Sequence, residues 1–478
     1  MRGAKRFVRI ARGVPGTSLL PIPFAIAAAV LILLAVTLTL DALASSGRIV
    51  LYGWLSIGNV DDARAILGAI LSAVSTVLAL IFSVTLLVFS MAVSQFGPRL
   101  MPYFLRERAM QVALGLFLAT FLHCLTTFLV TGQRGQAVFV PQLTVLTSIA
   151  LVFISFCYLV IYNNRIAVVI QTNNVLASIA ENLHAAIEEK SRSVVVETGT
   201  SSPTRFENDS PIPSEGAECV DGISQRCIVE GGVLRATTSG YLQKLDHVRI
   251  VKVADRCGAV VCLAFRPGEF VIEGEALAHV LPAPLTDELG AAIHNAVTIG
   301  QHRTLEQDPE FAFAQLSEIA IRALSPAIND TYTGLSSIDW LGDALRMFGS
   351  LPASDGAWRT SRGAVRLLVP PLRFARAVMA AFDLIRQSAV NNPAVCIRLL
   401  QTCARLALQL RTKEQRRAIL DQVEAIHGAA ERIPDGRMDR NAVEEAYRLA
   451  SDRLATAEYQ SRDILDYPPP MRGHEAKN

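Results

Sequence analysis

Four stretches without a formal charge fill the first third of the sequence, and they fix the solvent in which it must fold. They run between Arg12 and Asp41, Arg64 and Arg99, Arg108 and Arg134, and Arg134 and Arg165. Each holds the ~20 apolar residues that, at a rise of 1.5 Å, cross a hydrocarbon core of ~30 Å. A water-soluble helix would break such runs with polar residues at helical spacing. The stretches therefore read as four transmembrane helices over Leu19–Leu43, Ile66–Phe96, Met110–Val130 and Phe139–Asn163. Arg2, Lys5, Arg6, Arg9 and Arg12, the apolar run and Ala42-Leu43-Ala44 imitate a secretory leader. The apolar run exceeds the ~7–15 residues of a leader core, and more spans follow, so an uncleaved first helix is expected.

Orientation follows from basic residues in the short loops. The N-terminal tail has five basic residues and no acid, and the second connection carries Arg99, Arg106 and Arg108 against Glu107. The first connection, with Asp41, Asp61 and Asp62 against Arg48 and Arg64, is acidic on balance, and the third has only Arg134. The tail and second connection belong in the cytoplasm, and four spans then return the C-terminal two thirds to the cytoplasm. The lipid bilayer is then the first partner. A formal net charge of +2 gives no bias toward nucleic acid.

The second span carries Ser72, Thr76, Ser83, Ser90 and Ser94. At ~100° per residue these lie within about 40° of one another and form a hydroxyl stripe. Small hydroxylic residues let helices approach closely and bond across the contact, and the same residues also suit a water-filled path. Both readings stay open; the second span is expected to form an inter-helix or inter-subunit seam, and a homo-oligomer is expected. No acid lies mid-span, which disfavours a proton relay; His123 is the ionisable candidate besides thiols, as a packed neutral imidazole or a functional one.

The remainder has ordinary globular composition. The expected order is a basic tail (1–18), the four-helix transmembrane domain (19–164), a helical extension (165–190), a flexible linker (191–226), a small β module (227–283), a helical domain (284–460) and a disordered tail (461–478). Short apolar runs separated by Ser239-Gly240, Pro267-Gly268 and Glu273-Gly274 mark the β module. The run Arg266–Leu277 looks like the hairpins of biotinyl- and lipoyl-type barrel-sandwich modules, without a modifiable lysine motif. The fold class expected is thus a membrane protein, four transmembrane α-helices followed by a cytoplasmic α+β region of a barrel-sandwich-like β module and a helical domain. The eight cysteines follow no CxxC pattern, and reduced thiols are expected.

The densest polar cluster comprises His302, Arg303, Asp308, Arg322, Ser325, Asn329 and Asp330. A helix over 310–324 would separate its two ends by about 22 Å. Asp308-Pro309 and Asn329-Asp330 suit helix starts. Ligation of a hard cation by Asp308, Glu310, Asn329 and Asp330 is the alternative, without a recognised loop spacing. No catalytic signature occurs, so neither catalytic residues, a metal nor a cofactor is expected.

Several runs together resemble the bacterial predicted membrane proteins grouped as domain of unknown function 2254. They are Ser94-Gln95-Phe96-Gly97-Pro98-Arg99 with Phe104-Leu105-Arg106, Ser239-Gly240-Tyr241-Leu242-Gln243, and Arg303-Thr304 with Gln307-Asp308. Ala323-Leu324-Ser325-Pro326-Ala327-Ile328-Asn329-Asp330 and Phe382-Asp383-Leu384-Ile385-Arg386-Gln387 complete the set. The resemblance covers most of residues 15–430 and implies a four-span inner-membrane protein with a cytoplasmic domain. Its pattern favours proline after the aspartate, where Thr331 stands here. The function expected is an oligomeric channel- or transport-like or sensing membrane protein. The rival is a membrane-anchored enzyme or scaffold using Asp308 and Asn329-Asp330.

Overall fold

The computed structural model describes residues 21–45, 59–97, 104, 107–134, 137–169, 171–198, 220–360, 362–388, 392–430 and 437–465. The tail 1–18 and most of the tail 461–478 lie outside these residues. The chain divides into two units, residues 1–175 and 176–478.

Among the described residues, four long helices build the first unit: α1 (Pro21–Ser45), α2 (Val60–Phe96), α3 (Arg108–Val130) and α4 (Gln142–Val169). Each is long and apolar enough to cross a membrane. They start earlier or end later than the apolar runs because polar residues at their ends continue the backbone ladder. Asp61 and Asp62 stand in the first turn of α2, and the Asp62 carboxylate accepts from the Asn59 N–H. Acids are favourable at that end of the helix dipole. The 37 residues of α2 would extend ~55 Å at 1.5 Å per residue, beyond a bilayer core. The span α3 packs against the other three. At Gly115 a side chain would collide with the Pro23 backbone of α1, so glycine sets that close approach. A short hairpin, β1 (Gly132–Arg134) and β2 (Ala137–Phe139), joins α3 to α4.

Asp41, expected in the first connection, belongs to α1 and is buried. Its carboxylate accepts from the N–H groups of Leu143 and Thr144 at 3.0 and 2.9 Å, and from the Thr144 hydroxyl at 2.7 Å. One span thus caps the N-terminus of another, satisfying backbone donors that lipid could not.

The helical extension is a separate helix, α5 (Thr172–Thr198), not a continuation of α4. Of the expected linker, 191–198 belong to α5 and 220–226 to α6 (Val220–Glu230); residues 199–219 lie outside those described.

The second unit contains two sheets. Its strands are β3 (Gly232–Arg235), β4 (Gly240–Leu245), β5 (Val260–Leu263), β6 (Phe270–Val271), β7 (Ala276–Leu281), β8 (Val297–Gly300), β9 (Ala357–Arg359) and β10 (Val365–Leu368). Five of them form the order β3-β7-β5-β10-β9, and three form β6-β4-β8. Neither sheet closes into a barrel among the described residues. The expected β boundary at 283 is too short, because β8, β9 and β10 come from the stretch read as helical. Parallel pairing of β10 with β5 needs a long crossover, which local sequence does not announce.

The larger sheet is covered on both faces. Val261, Val280 and Leu367 face Ile250 and Ala254 of α7 (His247–Cys257) and Leu289 and Ile293 of α8 (Thr286–Ala296). Cys262 and Leu368, one residue on, face Ile223 and Cys227 of α6. That alternation is the period-2 pleat of a strand. Cys227 and Cys262 are joined by a disulfide with Cα atoms 6.4 Å apart, which corrects the expectation of reduced thiols throughout. A separation of 35 residues gave no cue, since the pairing is made by α6 lying on β5.

Six further helices follow: α9 (Pro309–Ala323), α10 (Thr331–Ser350), α11 (Phe374–Ser388), α12 (Pro393–Ala407), α13 (Lys413–Ala430) and α14 (Arg437–Leu465). These helices pack on one another, and their apolar stripes bury Phe313, Leu316, Ile338, Leu345, Phe382 and Leu399.

Candidate functional site

The hydroxyl stripe lies on the outer surface of the first unit. Ser72, Thr76, Ser83, Ser90 and Ser94 are all exposed. The buried positions of α2 are Ala63, Leu67, Val74, Ile81, Thr85, Val88, Phe89, Ala92 and Phe96, and at ~100° per residue the stripe centres about 180° from their mean direction. The Thr76 hydroxyl donates to the Ser72 carbonyl at 2.9 Å and Ser83 to Ala79 at 3.0 Å. The Thr76 and Ser83 hydroxyls are thus satisfied within their own helix, and the stripe leaves a small-residue face. Among the described residues no other span covers that face.

Polar groups inside the bundle pair between spans. Thr120 and Ser155 hydroxyls lie 2.9 Å apart, Thr85 and Tyr162 3.1 Å apart, and His123 Nδ1 is 3.0 Å from the Ser148 hydroxyl. The Thr127 hydroxyl donates to the His123 carbonyl at 2.7 Å. His123 is fully buried, and its Nε2 has no hydrogen-bond partner among the described residues.

The polar cluster of the second unit divides between the two ends of α9. At the first end, the segment 302–308 is strapped along β4. Gln307 donates to the Leu245 carbonyl and accepts from the Leu245 N–H, at 3.1 and 2.8 Å. The exposed His302 contributes its carbonyl, which accepts from Gln243 at 2.6 Å. Arg303 forks onto Asp308 with Nε and Nη2 at 2.7 and 2.9 Å. Asp308 also accepts from the Phe311 N–H at 3.1 Å, capping α9. Burial lifts the Asp308 carboxyl above its ordinary range, against the pull of the Arg303 guanidinium. Gly268, at φ 95°, brings its backbone against that carboxylate, and a Cβ there would collide with it. Glu310 is held by Arg266 and, at 3.3 Å, by Arg376.

The second end is separate. Ser325 donates to the Arg322 carbonyl at 2.7 Å, and Arg322 pairs with Glu318 at 3.7 Å. Asn329 is exposed and takes φ 50°, a left-handed conformation that asparagine tolerates better than most residues. Asp330 accepts from the Thr333 N–H and hydroxyl at 3.1 and 2.6 Å and caps α10. The 15 residues of α9 separate the two groups by about 22 Å, so the structure does not bring them together. No group of three or more His, Cys, Asp or Glu is placed to hold a metal among the described residues.

Sequence reasoning missed Arg266 and Arg376 as partners of Glu310, and Asp41 as a cap. All three act across more than 40 residues, where local spacing carries no signal.

Four apolar helices with inward polar pairs, followed by a sheet-containing helical unit, define a membrane protein with four candidate spans. The chain belongs to the family described as predicted membrane protein (DUF2254), whose match extends over residues 16–405. It is similar to uncharacterized proteins of Mycobacterium bovis and Mycobacterium tuberculosis. In each case 27% of 425 aligned residues are identical, covering 88% of this chain and 77% of the relative. No solved structure matches the chain significantly.

Proposed function

We propose that the protein is a homo-oligomeric, channel- or transport-like protein of the bacterial inner membrane, with both termini cytoplasmic and its subunits meeting through the outer face of α2. The observation that carries this reading is the position of the hydroxyl stripe, turned directly away from its own bundle. Lipid gains little from such a face, whereas a second helix gains close approach and interhelical hydrogen bonds. Three or more copies with this face inward would line a path with hydroxyls.

Cross-linking tests the seam. In a Cys157→Ser background, Ser83→Cys should cross-link between copies in vesicles, whereas Phe82→Cys, also exposed but ~100° away, should not. Equal behaviour of the two would overturn the seam. The pore is tested by conductance in planar bilayers: a purified oligomer silent across ions, voltage and tension would remove it.

The Cys227–Cys262 bond weighs against a cytoplasmic location, because disulfides persist mainly in oxidising compartments. The basic loops weigh the other way. A C-terminal reporter active only in the periplasm would reverse the orientation.

A scaffold reading rests on the second end of α9. Tyr332 is 84% exposed and Ile328 45%, beside the left-handed Asn329. An enzyme reading has less support, since Asp308 and Asp330 are both occupied as helix caps.

A further inference from the structure

Where α3 begins and α4 approaches its end, a cleft of about 460 Å³ is lined by Glu107, Arg108, Ala109, Tyr158, Ile161 and Arg165. That volume falls in the range of small-ligand pockets, roughly 300–1,000 Å³. Tyr158, Ile161 and Arg165 recur at i, i+3 and i+7 and share one face of α4. The Tyr158 hydroxyl donates to the Ala109 carbonyl at 3.3 Å, tying that face to the first turn of α3.

Two features make the cleft attractive to an anion. Arg108 and Arg165 are exposed, and among the described residues neither guanidinium has a hydrogen bond or ion pair. The N-terminus of α3 also lacks a side-chain cap, and its first turn contains no acid. Its N–H groups and dipole therefore add to the positive field. Glu107 is the opposing charge. Two guanidinium groups and one carboxylate leave the lining one unit positive, the complement of a single phosphodiester.

The position identifies the source of that phosphodiester. Both helices are candidate spans, and the cleft lies at the charged boundary of their apolar runs. Headgroups occupy that level, and the exposed Ile161 offers apolar surface beside the charges. We propose that this cleft binds the headgroup of an anionic phospholipid such as phosphatidylglycerol. The phosphate lies between Arg108 and Arg165, and the glycerol hydroxyls donate to Glu107. The assignment needs the first unit to sit in a bilayer but does not depend on the oligomer or the pore.

The test uses the full chain in nanodiscs, with bound lipid read by native mass spectrometry. Phosphatidylglycerol should be retained about tenfold or more over phosphatidylcholine, as two basic groups near a lipid surface predict. The double variant R108Q/R165Q should lose that preference with an unchanged melting temperature in phosphatidylcholine discs. R108K/R165K, which keeps the charge without the forked donors, should retain part of it. Equal retention of the two lipids by the wild type would overturn the proposal, even if the glutamine variant failed to fold. So would phosphatidylglycerol binding that survives in R108Q/R165Q. A preference for phosphatidylethanolamine abolished by Glu107→Gln would assign a zwitterionic headgroup instead. Displacement of the lipid by millimolar inorganic phosphate would assign a free-anion site.

Discussion

The two units answer one physical demand, that buried polar groups find partners, in opposite solvents, with a few atoms such as His123 Nε2 and Ser317 Oγ as exceptions. In residues 1–175 the large apolar side chains point outward: Leu129 and Phe153 are each 71% exposed. Among the described residues, the interior of this unit packs apolar side chains such as Leu67 and Phe117 with hydroxyls, an imidazole and the Asp41 carboxylate, which bond within a helix or between spans. In residues 176–478 the apolar residues are inside, and charges pair toward the surface, as in Arg398 with Asp339 and Arg366 with Asp255. Inversion of the exterior, with little change in interior packing, is what separates a lipid-facing bundle from a water-facing domain. The two buried capping carboxylates make the contrast sharp. Asp308 shares its helix-capping role with a forked arginine. Asp41 relies on two backbone N–H groups and a hydroxyl.

The largest expected effect is at Asp308. Asp308→Ala leaves Arg303 without its partner and should destabilise the second unit by about 3–5 kcal/mol, measured by denaturant unfolding of the detergent-solubilised chain. The first unit should be unaffected, and coupled loss of both would break the contrast. Next is Asp41→Ala, which strands three donors at a buried helix start. A loss of about 2–3 kcal/mol from the first unit is expected in SDS titration. A cost near zero would mean that water reaches the site. The smallest effect is at Thr120→Val, where one interhelical hydroxyl pair is lost and Ser155 keeps its bond to the Leu151 carbonyl. About 0.6 kcal/mol is expected. A cost several times larger would show that hydroxyl pairs hold the bundle together more than its packing does.

Much of the local structure was legible. The helix expected over 310–324 runs over Pro309–Ala323, and the stretch expected to be mainly helical from 284 holds Phe374–Ser388, Pro393–Ala407 and Lys413–Ala430. Proline and acidic residues at helix starts, and apolar stripes of period 3.6, carry that information locally. The sheet was read only in part. The punctuated runs before residue 283 include strands, but His247–Cys257 among them is a helix, and Ala357–Arg359 and Val365–Leu368 are three and four residues long, too short for a periodic signal. The two ends of α9 were legible as helix starts, and their separation followed from helix rise alone.

Sequence by itself determined the solvent of each region, because runs of uncharged residues long enough to cross a bilayer have no other stable environment. It also determined which residues share a helix face, because the backbone period is fixed. Tertiary structure alone decided that the α2 hydroxyls turn away from their bundle, that Asp41 caps a helix 100 residues later, that Cys227 meets Cys262, and that Arg108 and Arg165 border one cleft. Each of these is a relation between distant segments, set by how whole faces pack, and the spacing of residues along one segment carries no record of it.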